Sequence, residues 1–158
     1  MAVDDMPPGG ISIERSIMIA APSRKVFQLV GDLHTWERWN PNGMGDPTVE
    51  RTYGGSSSGY GATMDWRGKR SGAGRMEVLS ATEPSEIVVA VDFEKPFKLR
   101  NINRFRLEPL GAATTLTWTV QGPKPLMAKV LGLFFSMDKM MAKHCDAGLV
   151  SLKALAES

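Results

Sequence analysis

Apolar and polar residues alternate along ISIERSIMIA (11–20), with Ile11, Ile13, Ile17 and Ile19 on one parity, the period of a half-buried strand. The period then changes. In APSRKVFQLV (21–30), Pro22 suits a first helical turn, and Val26, Phe27 and Val30 form a stripe at helical spacing. HTWERWNP (34–41) predicts a second short helix that ends before Pro41. Alternating segments follow at 47–53, 60–66, 74–81, 86–93, 98–109 and 113–120, separated by GGSSSG, TEPS and a turn around Gly111. Connections this short imply antiparallel meander pairing rather than crossover helices. Gly122 and Pro123 stop the last strand, and residues 124–156 predict one long helix. Its stripe of Met127, Leu131, Phe134, Met141, Cys145, Leu152 and Leu155 is interrupted at Asp138 and Gly148.

The order is strand, two short helices, a run of strands, then a long helix, with no internal repeat and no dividing linker. We therefore expect an α+β domain spanning 11–158, a curved antiparallel sheet of six or seven strands wrapped around the last helix. The first ten residues, MAVDDMPPGG, place two aspartates where an export signal needs positive charge, and predict a flexible lead.

Composition narrows the function classes. A chain of 158 residues with 42% hydrophobic and 23% charged content suits a globular protein with a single core. A net charge of +2 gives no case for nucleic acid. The lone Cys145 excludes an internal disulfide and a cysteine-based zinc cluster, and a cytoplasmic location is the expectation. The greasy stretch LMAKVLGLFFSMDKMM (126–141) has its longest uncharged run at 130–137, whereas a bilayer-spanning helix needs about 20 apolar residues. A transmembrane segment is excluded.

Three stretches carry a resemblance: SIMIAAPSRKVFQLVGDLHTWERWNP (16–41), FEKPFKLRNINRFRLEP (93–109), and TTLTWTVQG (114–122) leading to MDKM (137–140) and GLVSLKALAE (148–157). Over roughly 11–156 the chain resembles the SRPBCC superfamily of START, Bet v 1-like and polyketide cyclase/dehydrase proteins, and most of all its cyclase/dehydrase-like branch. The resemblance implies a helix-grip fold and a small hydrophobic molecule such as a lipid, isoprenoid, polyketide or aromatic metabolite, held between sheet and helix. At KHCDAGL (143–149) the chain departs from the acidic-aromatic stretch expected before GL.

The residues themselves bear on that implication. Met127, Met137, Met140 and Met141 on one helix suit a wall that adapts to irregular apolar shapes, although packing against the sheet alone is an equal alternative. Asp138 falls on the apolar stripe. Facing inward it would have a raised pKa and serve as an acid, a base or an orienting group; rotated outward it would sit beside Lys139 or a strand arginine. Asn101 and Asn103 share parity with Phe105 and Leu107, so all four face one side, where a ligand, water or neighbouring strands would satisfy the amides. Trp66, in phase with Met64, and Trp118 are inward candidates, each a flat wall with one N–H donor. Trp36 and Trp39 are expected to anchor the second short helix. The ligand-binding set is thus Met64, Trp66, Met76, Asn101, Asn103, Phe105, Trp118, Met127, Leu131, Phe134 and Met141, with Asp138 the candidate catalytic residue.

Other chemistries have less support. The Gly-rich stretch 54–74 opens no helix and so lacks a phosphate cradle. Arg67, Lys69, Arg70 and Arg75 have little aromatic interleaving and read as a solvated face. Neither His34 nor His144 has metal-ligand spacing, and His144 and Cys145, adjacent on a helix, point apart. No cofactor or metal is expected, and the oligomeric state is expected to be monomer or homodimer. Two further functions are weighed: a cofactor-free cyclase or dehydratase using Asp138 or Arg75 for proton transfer, and a protein-interaction module.

Overall fold

A computed structural model describes residues 10–41, 46–95, 98–123 and 134–158, with side chains of the last stretch from Lys139 onward. The expected lead (1–10) and the first part of the long helix (124–133) therefore lie outside the described residues, apart from Gly10. Strand β1 (Ile11–Ile19) is followed by α1 (Ser23–Gly31) and a 3-10 helix (Leu33–Arg38), the two short helices expected from the sequence. Six strands then run in succession: β2 (Glu50–Gly55), β3 (Ala62–Gly68), β4 (Gly72–Thr82), β5 (Glu86–Lys95), β6 (Leu99–Leu110) and β7 (Ala113–Gly122). The described part of the long helix, α2, is Phe134–Glu157.

The sheet is wholly antiparallel, in the order β1-β7-β6-β5-β4-β3-β2. After β1 the chain crosses to the far edge through the two short helices and returns strand by strand, so that β7 closes against β1 with Ile13 opposite Val120. Because the side-chain period is two, this register assigns each strand one inward parity. Inward lie Leu116, Trp118 and Val120 of β7, Leu107, Phe105, Asn103 and Asn101 of β6, Ile87, Val89 and Val91 of β5, and Met64 of β3.

α1 fills one end of this concave face. Val26, Val30 and Leu33 are buried in the core, and the Thr114 hydroxyl ties the start of α1 to β7 by donating to the Ala21 carbonyl at 2.9 Å. The Trp36 indole N–H donates to the Val30 carbonyl at 2.8 Å, which fixes the 3-10 helix on α1. Trp36 and Trp39 are buried and meet Phe105 edge-on, with ring centroids at 5.6 and 6.1 Å. The expected anchoring role of the two tryptophans is what their packing provides.

α2 lies along the edge strand β1. It buries Cys145, Leu149, Leu152 and Ala156, spaced four, three and four residues apart, as an inward stripe requires. Polar contacts set its register: Arg15 makes a two-pronged pair with Asp146 at 2.7 and 2.8 Å, Lys153 donates to the Met18 carbonyl at 3.0 Å, and Glu157 accepts the Ala20 N–H at 2.7 Å. The Arg15 and Asp146 side chains are both 46% exposed, so this solvent-screened pair serves more to orient the helix than to hold it. At Gly148 a Cβ would lie 2.9 Å from the Trp118 ring, so the small residue lets helix and sheet close together.

Candidate functional site

Beyond α1 and the 3-10 helix, the concave face is not filled. A cavity of about 300 Å3 lies there, bounded by the ends of β3, β4, β5, β6 and β7, the 3-10 helix and α2. Its apolar wall includes Met64, Met76, Trp66, Val91, Phe93 and Met141. Trp66 stands upright because Gly74 on the neighbouring strand leaves room; a Cβ there would lie 2.3 Å from the indole. Phe93 meets the same indole edge-on at 5.5 Å.

Polar groups from several elements also border the cavity. Glu37 and Asn40 come from the region of the 3-10 helix, Arg51 from β2, Ser71 from the β3–β4 turn, Asn101 and Asn103 from β6, and His144 from α2. Arg51 pairs with Glu37 at 3.2 Å, joining the 3-10 helix to the edge strand across the site. The β3–β4 turn is pinned by Asp46, which accepts from the Thr48 hydroxyl at 2.6 Å, the Thr48 N–H at 2.9 Å and the Ser71 N–H and hydroxyl at 3.0 and 2.9 Å. These donors, the Thr48 hydroxyl first, hold the Asp46 carboxyl well below the usual carboxylate range.

Of the residues expected to bind ligand, Met64, Trp66, Met76, Asn101, Asn103, Trp118 and Met141 border the cavity. Phe105 does not. Its parity is inward as expected, but Trp36, Trp39 and Trp118 enclose the ring, and it is fully buried beneath them. Met127 and Leu131 lie outside the described residues, as do the side chains of Phe134 and Asp138. Both indole N–H groups are already satisfied within the protein: Trp66 donates to the Ser71 carbonyl at 3.0 Å and Trp118 to Asn103 Oδ1 at 2.9 Å.

Arg75, the alternative proton-transfer residue, faces away from the cavity. It neighbours the inward Met76 in sequence, hence has opposite parity, and pairs with Asp65 at 3.7 Å on the outer face. Arg67, Lys69 and Arg70 are exposed, as expected of a solvated face.

Sequence reasoning set His144 aside because it cannot pair with Cys145. The two side chains do diverge: Cys145 enters the core, where burial pushes its thiol up to about 12, while His144 turns to the cavity and packs edge-on against Trp118 at 5.8 Å. Burial pulls the His144 pKa below its ordinary value. A usable signal was its spacing of three from Met141, which puts both on one helix face. Glu37 and Arg51 carried no such signal, since their proximity depends on the path between distant segments.

Among the described residues no group of three or more His, Cys, Asp or Glu side chains could hold a metal ion. Nor is any described helix long and apolar enough to cross a membrane. The site offers a largely apolar hollow with several hydrogen-bonding groups in its wall, suited to enclosing a small molecule.

Solved structures share this architecture along nearly their whole length. Protein CV1439 from Chromobacterium violaceum superposes with a TM-score of 0.66 at 15% identity, covering 93% of this chain and 97% of that one. Protein MLL2253 from Mesorhizobium loti gives 0.67 at 16%, covering 92% and 96%. The Aha1 dimer from Colwellia psychrerythraea gives 0.61 at 17%, covering 93% and 96%. At such identities the likeness concerns the fold alone. No curated protein matches the sequence significantly. The family described as polyketide cyclase / dehydrase and lipid transport matches residues 10–157. With its seven antiparallel strands gripping a C-terminal helix around a hollow, the chain belongs to that family and, through it, to the SRPBCC superfamily.

Proposed function

We propose that the protein binds a small, mostly apolar molecule in the hollow between the sheet and α2. The observation that carries this is the cavity of about 300 Å3, walled by methionine and aromatic side chains with a few polar groups among them. Hydrophobic-ligand sites have this composition, and methionine walls adapt to varied shapes. Burying about 200 Å2 of apolar ligand surface is worth about 5 kcal/mol before ordering costs, enough for a useful affinity. At about 30 Å3 per water-sized group, the hollow suits roughly ten non-hydrogen atoms. That size favours a small ring system or a short single chain, such as an isoprenoid, polyketide fragment or aromatic metabolite, over a diacyl lipid. Met64, Trp66, Met76, Trp118 and Met141 supply the contact surface, while Asn101 and Asn103 orient the ligand.

Native mass spectrometry of freshly purified full-length protein tests this. A lipophilic adduct is expected that is lost on denaturation, and the stripped, refolded protein should take up an apolar probe such as naphthalene. A protein that carries no adduct and takes up no apolar or oxygenated aromatic probe would refute the binding function.

A further inference from the structure

Most polar groups around the cavity are already engaged. Trp66 donates to Ser71, Trp118 donates to Asn103, and Arg51 is held by Glu37. Two groups stand apart. Asn101 is only 7% exposed and borders the cavity, yet its amide has no hydrogen-bond partner among the described residues. His144 borders the same cavity from α2, and neither ring nitrogen has a partner among the described residues. His144 packs on the Trp118 ring, and Asn101 is two positions along β6 from Asn103, which accepts the Trp118 N–H, so it shares the inward parity of that strand.

The Asn101 amide is also a seated group. It lies over Gly122 of β7, where a Cβ would stand 2.2 Å from Asn101 Oδ1. The Asn101 side chain is nearly buried at the cavity and makes no hydrogen bond to a described residue, so a polar atom of the ligand can supply one.

We infer that the ligand carries a neutral hydroxyl or carbonyl oxygen that hydrogen-bonds Asn101 and His144, so that the cavity selects oxygenated apolar molecules over both hydrocarbons and carboxylates. The inference rests on the cavity-binding function proposed above and specifies its ligand class. The amide offers two N–H donors and a carbonyl acceptor, and an imidazole kept neutral by burial offers one of each, so the pair matches either a hydroxyl or a carbonyl. A carboxylate fares worse. Among the described lining residues the cation is Arg51, already paired with Glu37, so an entering anion would lose hydration without gaining an uncompensated charge.

The test compares naphthalene, 2-naphthol and 2-naphthoate binding to stripped full-length protein at pH 7.5, by calorimetry or fluorescence. 2-Naphthol is expected to bind roughly 3- to 10-fold more tightly than naphthalene, the worth of one net hydrogen bond, with 2-naphthoate weaker than 2-naphthol. In Asn101→Leu and His144→Phe this preference of 2-naphthol over naphthalene should fall towards one. An undiminished preference in both variants, or 2-naphthoate binding tightest, would overturn the inference and leave the cavity-binding function standing. Failure of all three probes to bind would overturn that function instead. Should the variants misfold, the wild type still decides. The chain has two histidines, so nitrogen NMR resolves His144 from His34. Its ring signals should shift with 2-naphthol beyond the change naphthalene causes, and equal shifts would count against the hydrogen bond.

Discussion

The two ends of the concave face are built from the same strands and differ in what covers them. Along β6 the inward residues run Leu107, Phe105, Asn103, Asn101: two fully packed apolar side chains, then two amides at the cavity. Along β5 they run Ile87 and Val89, wholly buried, then Val91 and Phe93 at the cavity wall. The packed end lies under α1 and the tryptophans of the 3-10 helix; the cavity opens past them, with Trp36 on its border. Each sheet strand thus serves both a core and a site, and the boundary falls where the short helices stop. The comparison teaches that the cavity is a matter of coverage, since the sheet continues unchanged beneath it.

If that comparison holds, equivalent substitutions should behave differently at the two ends. The largest effect is expected at Phe105, enclosed by three tryptophans. Phe105→Ala should cost about 3–5 kcal/mol in chemical denaturation, because rigid neighbours leave a void. Met76→Ala, which widens an existing hollow, should cost about 2 kcal/mol, at the low end for deletions of this kind. Equal losses would erase the distinction between core and cavity wall.

Enlargement sharpens the contrast. Val78, fully buried in the core, has no room for a larger side chain, and Val78→Phe should destabilise by about 1–3 kcal/mol. Val91→Phe projects into the hollow, so its stability should change by less than about 1 kcal/mol while naphthalene uptake is abolished. Calorimetric unfolding and probe titration of the two variants would show whether the difference is real.

The smallest expected effect is a pH dependence. Burial holds the His144 pKa below the 6.5 of an exposed imidazole. Above pH 6.5 the ring is neutral whether the chain is folded or unfolded, so it contributes nothing. As pH falls through 6.5 the unfolded chain takes up a proton that the folded one resists, and stability declines until the folded pKa is passed. The stability of the wild type relative to His144→Phe should therefore drift downwards between pH 7 and pH 5. A flat difference would mean that His144 is not shielded from water.

How far the sequence could be read follows from the range of the forces involved. Alternation in β3, β6 and β7 is local, and it correctly put Asn101, Asn103, Trp66 and Trp118 on the inner face. Phe105 shows where parity stops: it gives the face of the sheet, and says nothing of what lies above it. Arg51, Glu37 and Ser71 reach the site through the crossing from β1 to the far edge and through a turn pinned by Asp46, contacts between residues far apart in sequence. His144 was legible as a member of the Met141 helix face but not as a cavity residue, because helix phase leaves open which part of a stripe meets the sheet.

By itself, then, the sequence determined the elements, their antiparallel pairing and the inward parity of β1, β3, β6 and β7, since periodicity and short turns are properties of neighbouring residues. Only the tertiary structure decided that the concave face is filled at one end and hollow at the other, and that Asn101 and His144 share the hollow. Those outcomes depend on how far α1, the 3-10 helix and α2 extend over the sheet. That reach is fixed by long-range packing such as Trp39 on Phe105 and Gly148 against Trp118, which no local pattern encodes.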